Sequence, residues 1–282
     1  MLQIGNYNKL TVTRITASGA VFKSDEGDVL LPLRLVPEGT EAGAVLDVFV
    51  YLDSEERLTA TTKKPRAVVG DFALLKVKES TTVGSFLDWG LEKDLLLPFG
   101  EQLEPVRRGQ QVLVRVFLHS SGRIAASAKL DKFLSPADFT LFEGGEVELM
   151  VYAFTDLGVK VVVNDSFNGL LYANELPLKP TLGERLRGYV KKIREDGKID
   201  VTLRRGGVFD AAADQDSILA ALKAQGGFLP LTDKSPPDLI ARVLRLSKKS
   251  FKKAVGGLYK EGLITIQPDG IRLREIQTKE GQ

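Results

Sequence analysis

The chain of 282 residues contains no cysteine and a single histidine, His119. The absence of thiols excludes disulfides, thiol nucleophiles and thiolate metal sites together. One imidazole builds neither the usual zinc site nor a Cys–His dyad. Ser–His–Asp chemistry would rest on His119 alone, which lies in FLHSSGR, a strand end and turn. There is no GxxxxGK[ST] segment and no GxGxxG following a strand. No apolar run approaches the roughly 18 residues that a membrane-spanning helix needs. The opening MLQIGNYNKL lacks the basic-then-apolar order of a secretory signal. These absences predict a cytoplasmic chain that is not an enzyme, takes no cofactor or metal, and has no membrane partner.

The residues that are present suit packed domains, with 43% hydrophobic and 27% charged side chains. The net charge of +2 is too small to imply a polyanionic partner unaided. Its distribution says more. Basic residues gather in KKPR (Lys63 to Arg66), in Arg107 and Arg108, in Lys191 and Lys192, and in SKKSFKK (Ser247 to Lys253). A charge run is ordinarily a solvated face, so these clusters need a structural context before they mean anything.

The first ~205 residues read as short strands rich in Val, Leu and Ile, separated by Gly, Asp, Ser and Asn. A threefold repeat runs through them. Gly19, Gly84 and Gly158 each sit between two strand-like runs, in ASGAVFKS, TVGSFLDW and DLGVKVVV. About ten residues later comes an apolar patch (DVLLPLRLVP, KDLLLPFGEQL, FNGLLYANEL), and then a longer β run. Each unit closes with a basic residue on a short alternating strand: Arg57 in RLTATT, Arg123 in RIAASA, Lys198 in KIDVTL. The glycines are spaced 65 and 74 residues apart and the basic residues 66 and 75, so the two landmarks move together. Five strands in 60 to 70 residues predict an OB-type five-stranded barrel for each unit. Barrels this small bury only about 60% of their unfolded surface, so neighbours are expected to pack together or share short linkers such as KKPRAVV.

GSFLDWGLEKDLLLP and FNGLLYANEL resemble the central stretch of ribosomal-protein-S1-type RNA-binding domains. The resemblance implies an RNA face built from the second and third strands and the closing basic residue. Position by position, that face falls on Phe86 and Arg123 in the second unit, and on Lys160, Tyr172 and Lys198 in the third. The departures are substantial. The first aromatic position holds Ser18, Val83 and Leu157, the second holds Val21 and Lys160 in units one and three, and the histidine position holds Pro32 and Pro98 in units one and two. Unit one therefore lacks most of a stacking platform and reads as scaffolding. Trp89, next to Phe86, is either a further stacking ring or a barrel-end packing residue.

After LRRGG (Leu203 to Gly207) the apolar period changes from two to about 3.6. DQDSILAALKAQGG predicts a helix capped by Asp214 or Asp216 and stopped at Gly226. SPPDLIARVLRL opens with Ser235 as cap, Pro236 as the first helical residue and Asp238 in a capping-box position. In SKKSFKKAVGGLYKEGLI, Phe251, Val255 and Leu258 share one stripe, while Lys248, Lys249, Lys252 and Lys253 populate other faces and Gly262 ends the helix. LITIQPDGIRL then reads as a hairpin. Three helices followed by a hairpin is the winged-helix order.

LPLTDKSPPDLIARVLRLSKKSFKKAVGGLYKEGLI closely resembles the C-terminal domain of the bacterial conserved virulence factor B family, in its Asp233–Lys234–Ser235–x–Pro237 and Ser247–Lys253 motifs. The resemblance covers essentially the whole chain, and it implies RNA binding with low sequence selectivity and a regulatory role. The expected fold is mainly β with an α+β C-terminal domain: S1-like OB barrels at 1–63, 66–133 and 140–205, then a winged helix at 212–276. The expected partner is single-stranded RNA, held by Phe86, Trp89, Arg123, Lys160, Tyr172, Lys198, Lys234 and the four lysines of the third helix. The alternative is a DNA-binding transcription regulator that reads with its winged helix and uses the barrels as sensor or assembly domains. DNA is thus the second candidate partner, and the oligomeric state is left open.

Overall fold

The structure, a computed structural model, describes residues 1–176, 178–204, 211–244 and 246–274. The chain divides into two compact units, Met1–Phe133 and Leu134–Gln282.

The first unit holds two closed barrels. Strands β1 (Tyr7–Thr16), β2 (Gly19–Ser24), β3 (Gly27–Pro32), β4 (Val45–Leu52) and β5 (Leu58–Thr61) close in the order β1-β2-β3-β5-β4. β6 (Phe72–Ser80), β7 (Gly84–Asp88), β8 (Leu95–Pro98), β9 (Gln111–Leu118) and β10 (Ile124–Ser127) repeat that order. In both, the third and fifth strands pair in parallel and all other neighbours are antiparallel. This is the OB topology, which leaves no open sheet edge.

The repeat glycines begin the second strands and are enforced by a close approach. A Cβ on Gly19, Gly84 or Gly158 would lie 1.9, 2.5 or 2.2 Å from the carbonyl oxygen of Leu31, Leu97 or Leu171 on the third strand. The register confirms the equivalence of the units: Gly19 pairs with Pro32, Gly84 with Pro98 and Gly158 with Tyr172. The first strand of each barrel carries an irregularity at the same place, between Val12 and Arg14, Val77 and Glu79, and Val151 and Ala153. Such bulges sharpen the local bend that barrel closure requires.

Barrel 1 and barrel 2 are packed on one another as expected, through an outward face of β4. Val48 and Val50 point into barrel 1, whose core also holds Val12, Phe22, Val29, Leu31 and Ala60. The alternate residues Phe49 and Tyr51 therefore point out of it. Phe49 is nonetheless fully buried and belongs to the core of barrel 2, with Trp89, Leu87, Leu97 and Val114. The linker is part of the same packing. Ala67 is buried, the Arg66 amide donates to the Trp89 carbonyl (2.7 Å), and the Val69 amide to that of Gly5 (2.9 Å).

The second unit begins with barrel 3, formed by β11 (Glu146–Thr155), β12 (Gly158–Val163), β13 (Phe167–Tyr172), β14 (Arg185–Ile193) and β15 (Ile199–Thr202) in the same closed order. The winged helix follows as α1 (Ala211–Ala224), β16 (Phe228–Leu229), α2 (Pro237–Leu244), α3 (Lys248–Lys260), β17 (Ile264–Gln267) and β18 (Gly270–Leu273), with sheet order β16-β18-β17. Its core unites Ile218, Leu222, Ile240, Phe251, Val255, Leu258 and Ile271. Gly226 and Gly262, at φ +67° and +73°, follow the ends of α1 and α3, where the left-handed conformation suits glycine.

Two helix starts differ from expectation. α1 begins at Ala211, so Asp214 lies inside its first turn, where it accepts from Arg204 (3.4 Å), and Asp216 lies deeper still. The Ser235 hydroxyl accepts from the Thr232 amide (2.9 Å) and so closes a turn ahead of α2. α3 is capped instead by Ser247, whose Oγ accepts from the Ser250 amide (3.1 Å). Arg205 to Gly207, part of the break after barrel 3, and residues 275 and 276 at the expected end of the winged helix lie outside the described residues.

Candidate nucleic-acid interface

A groove of about 450 Å³ runs across the face of barrel 2. Its floor is apolar: Phe86 on β7, Leu96 and Pro98 on β8, and Ile124 and Ala125 on β10. Val83, 58% exposed, stands at the turn before β7. The rim carries His119, Arg123 and Lys93, and Tyr51 reaches in from barrel 1. Phe86 is half-buried, so its ring is held while part of it faces the groove. Arg123 is exposed and forms an ion pair with Glu56 of barrel 1 (2.6 Å).

His119 is the turn residue that its sequence context predicts. The Ser121 amide donates to its Nδ1 (3.2 Å), the Ser121 hydroxyl lies 3.0 Å from the same nitrogen, and the residue borders the groove. The Lys93 ammonium donates to the Leu52 carbonyl (2.8 Å). Desolvation and the nearby charge of Arg123 lower the pKa of Lys93.

Trp89 is not the stacking ring that its place beside Phe86 suggests. The indole is 2% exposed, donates from Nε1 to the Lys93 carbonyl (2.6 Å), and meets Phe49 edge-to-face at 5.6 Å. Trp89 borders the groove, but barrel 1 covers almost all of the ring, so it is a packing residue with no open face for a base. What sequence reasoning missed is the contribution of barrel 1, above all Tyr51. A signal was present in VFVYL, which is apolar on both faces although a free barrel surface would alternate.

In barrel 3, Tyr172 is half-buried and its hydroxyl accepts from Arg194 (2.9 Å), which is itself held by Asp200. The Lys191 ammonium lies 5.9 Å from the Tyr172 ring and pairs with Glu175. Lys160 sits over the Tyr152 ring at 5.7 Å, and Lys198 pairs with Asp196 at 2.8 Å. Phe154 (44% exposed) and Leu157 (65%) leave further apolar surface on this barrel. Barrel 1 has no equivalent platform, because Val21, at the position of Phe86, is buried.

In the winged helix, Phe251, Val255 and Leu258 of α3 are buried, and Lys249, Lys252 and Lys253 are exposed. Lys248 is half-buried and donates to the Ser235 carbonyl (3.0 Å). Lys252 approaches Asp233 at 3.8 Å, and Lys234 is exposed in the turn before α2. Arg204, at the exit of barrel 3, donates to the buried Ser250 of α3 (2.6 Å). The α3 cations are therefore anchored to a helix that is tied to the barrel preceding it. No described helix is long and apolar enough to cross a membrane.

Comparison with known proteins agrees with this architecture. The S1 domain model matches residues 4–63 and 69–129, and the CvfB-like winged helix domain model matches 216–273. Barrel 3 shares the topology of the other two. The chain is 29% identical to the uncharacterised protein YitL of Bacillus subtilis, over 92% of this chain and 90% of that one. It is 27% identical to conserved virulence factor B of Staphylococcus epidermidis, over 99% and 96%. A crystal structure of a multidomain protein with nucleic acid binding domains from Streptococcus pneumoniae is 25% identical over 96% of this chain and 98% of that one, with a TM-score of 0.42. S1 domains and a winged helix on one chain point to nucleic acid as the partner. By these domains and its likeness over nearly the full length, the chain is a homologue of the proteins named YitL and conserved virulence factor B.

Proposed function

We propose that this chain is a cytoplasmic RNA-binding protein, without catalytic activity, that engages single-stranded RNA across several modules with low sequence selectivity. The observation that carries this reading is the barrel 2 groove, an apolar slot with the Phe86 ring in its floor and cations at its rim. An unpaired base can stack in such a slot, while a duplex keeps its bases inside the helix. Stacking tolerates every base, which accounts for low selectivity. Tyr172 and the basic residues of barrel 3 supply a second contact, and the lysines of α3 a third. Tandem contacts raise affinity because the later ones are intramolecular. A regulatory, post-transcriptional role is part of the same proposal.

The reading of α3 as a DNA-recognition helix has less support. Its sequence KKSFKKAVGGLYK holds no Arg, Asn or Gln for bidentate base contacts. Lysine ammonium groups suit phosphates, which position a protein without reading sequence.

Binding of the full chain to oligo(U), oligo(A) and duplex DNA across a salt series tests the proposal. Both single strands should bind more tightly than the duplex, with a log–log salt slope of about −0.7 per neutralised phosphate. Phe86→Ala should weaken single-strand binding by roughly fivefold to a hundredfold, the worth of one stacked base. Preference for duplex DNA would overturn the reading.

A further inference from the structure

The hairpin that precedes the fifth strand is the same in all three barrels. The amide of its first residue donates to the carbonyl of the closing basic residue, Asp53 to Arg57 (3.0 Å), His119 to Arg123 (2.8 Å) and Arg194 to Lys198 (2.9 Å). In each, the fourth residue has positive φ. In barrels 2 and 3 that residue is glycine, Gly122 at +76° and Gly197 at +74°. In barrel 1 it is Glu56, at +63°. A residue with a Cβ is uncommon there, and such a conformation persists only where its surroundings impose it.

The Glu56 side chain leaves its own hairpin and reaches Arg123 of barrel 2 at 2.6 Å, across 67 residues of sequence. Arg57, the basic residue of its own barrel, is paired instead with Asp53 and Glu55, at 2.8 and 2.7 Å. The contact falls at the mouth of the barrel 2 groove, where Arg123 stands beside Tyr51, Leu52 and Ser54 of barrel 1. Lys93 lines the same groove, and its ammonium feels the charge of Arg123. Arg123 and Lys93 thus stand with Glu56 at the edge of an apolar slot that Asp94, paired with Lys78, also borders. The Glu56 carboxylate offers oxygen acceptors of the kind a backbone phosphate would offer.

We propose that Glu56 is an internal stand-in for phosphate: it occupies Arg123 in the free protein and is displaced when single-stranded RNA enters the barrel 2 groove. Barrel 1, which has no platform of its own, thereby tempers the affinity of its neighbour. The pair is solvent-exposed, 54% at Arg123 and 67% at Glu56, so a phosphate can reach the guanidinium and the carboxylate can swing into water. The same exposure makes the tie weak enough to exchange.

This inference rests on the reading of the groove as an RNA surface. The test measures full-length protein against labelled oligo(U) across a salt series, with Glu56→Gln, Glu56→Gly, Phe86→Ala and Glu56→Gln/Arg123→Gln. Both single Glu56 variants should bind about two- to fivefold more tightly, the range an exposed ion pair commands. Their salt slope should steepen, by up to about 0.7 for one further neutralised phosphate. The double variant should bind no more tightly than the unaltered protein, since the effect acts through Arg123. Weaker or unchanged binding in Glu56→Gln, with Phe86→Ala still impaired, overturns the proposal and leaves the groove reading standing. Full affinity in Phe86→Ala overturns the groove reading and the proposal with it.

Discussion

Gly19, Gly84 and Gly158 are visible in sequence as a periodic landmark, and the reason for them is steric. Each lies where the second strand crosses the backbone of the third so closely that a methyl group has no space. Gly158→Ala would set its Cβ 2.2 Å from the Leu171 carbonyl oxygen, and the strand must shift to admit it. A loss of at least about 2 kcal/mol in stability is expected, read as a lower urea midpoint. Trp89 shows the opposite case, a residue whose type is legible but whose surroundings are not. Trp89→Phe removes the N–H donated to Lys93 and leaves that carbonyl unpaired, at a cost of about 1–3 kcal/mol. Its affinity for oligo(U), measured where the protein stays folded, should be unchanged. A loss as large as that of Phe86→Ala would return Trp89 to the binding surface.

Strand β4 and the residues that clamp it show how elements join. Its VFVYL run serves two cores at once, with valines turned into barrel 1 and aromatic rings turned toward barrel 2. The joint is edged by Glu92, which accepts from Lys63 (2.9 Å) and from Arg34 of barrel 1. The Lys63 hydrogen bond, against a small desolvation penalty and with help from the Arg34 charge, holds the Glu92 carboxyl below its usual 4.5. Glu101 behaves alike: burial opposes its ionisation, but hydrogen bonds from Lys132 and Ser127 outweigh it and lower its pKa. A carboxylate more acidic in the folded than in the unfolded chain stabilises the fold above its unfolded pKa, and that stability is lost as pH falls through the folded value. The urea midpoint should therefore fall as pH drops below about 4.5, the ordinary glutamate value. Glu101→Gln should flatten part of that fall, and an unaltered pH profile would argue against its role.

On the proposed reading, nucleic-acid binding is distributed and unequal across the whole molecule. Barrel 2 has a formed groove, barrel 3 a tyrosine held by Arg194 beside exposed apolar residues, and barrel 1 neither. On that reading the lysines of α3 lend charge. Replacing Lys248, Lys249, Lys252 and Lys253 by Gln should shallow the salt slope for single strands by about 0.7 for each phosphate no longer neutralised. The ratio of oligo(U) to oligo(A) affinity should not move, because phosphate recognition carries no base information. A change in that ratio would mean that α3 reads bases.

The sequence by itself determined the local part of this protein. Strand period, turn glycines, helix stripes and the threefold repeat all depend on neighbours a few residues away, so the barrels, the winged helix and the equivalence of Phe86, Lys160 and Tyr172 with their repeat partners were legible. Only the tertiary structure decided what the repeats do to each other. Whether Trp89 meets solvent or Phe49, and whether Arg123 is offered to a ligand or held by Glu56, depends on how two closed barrels abut. That packing joins side chains tens of residues apart, which no local pattern records.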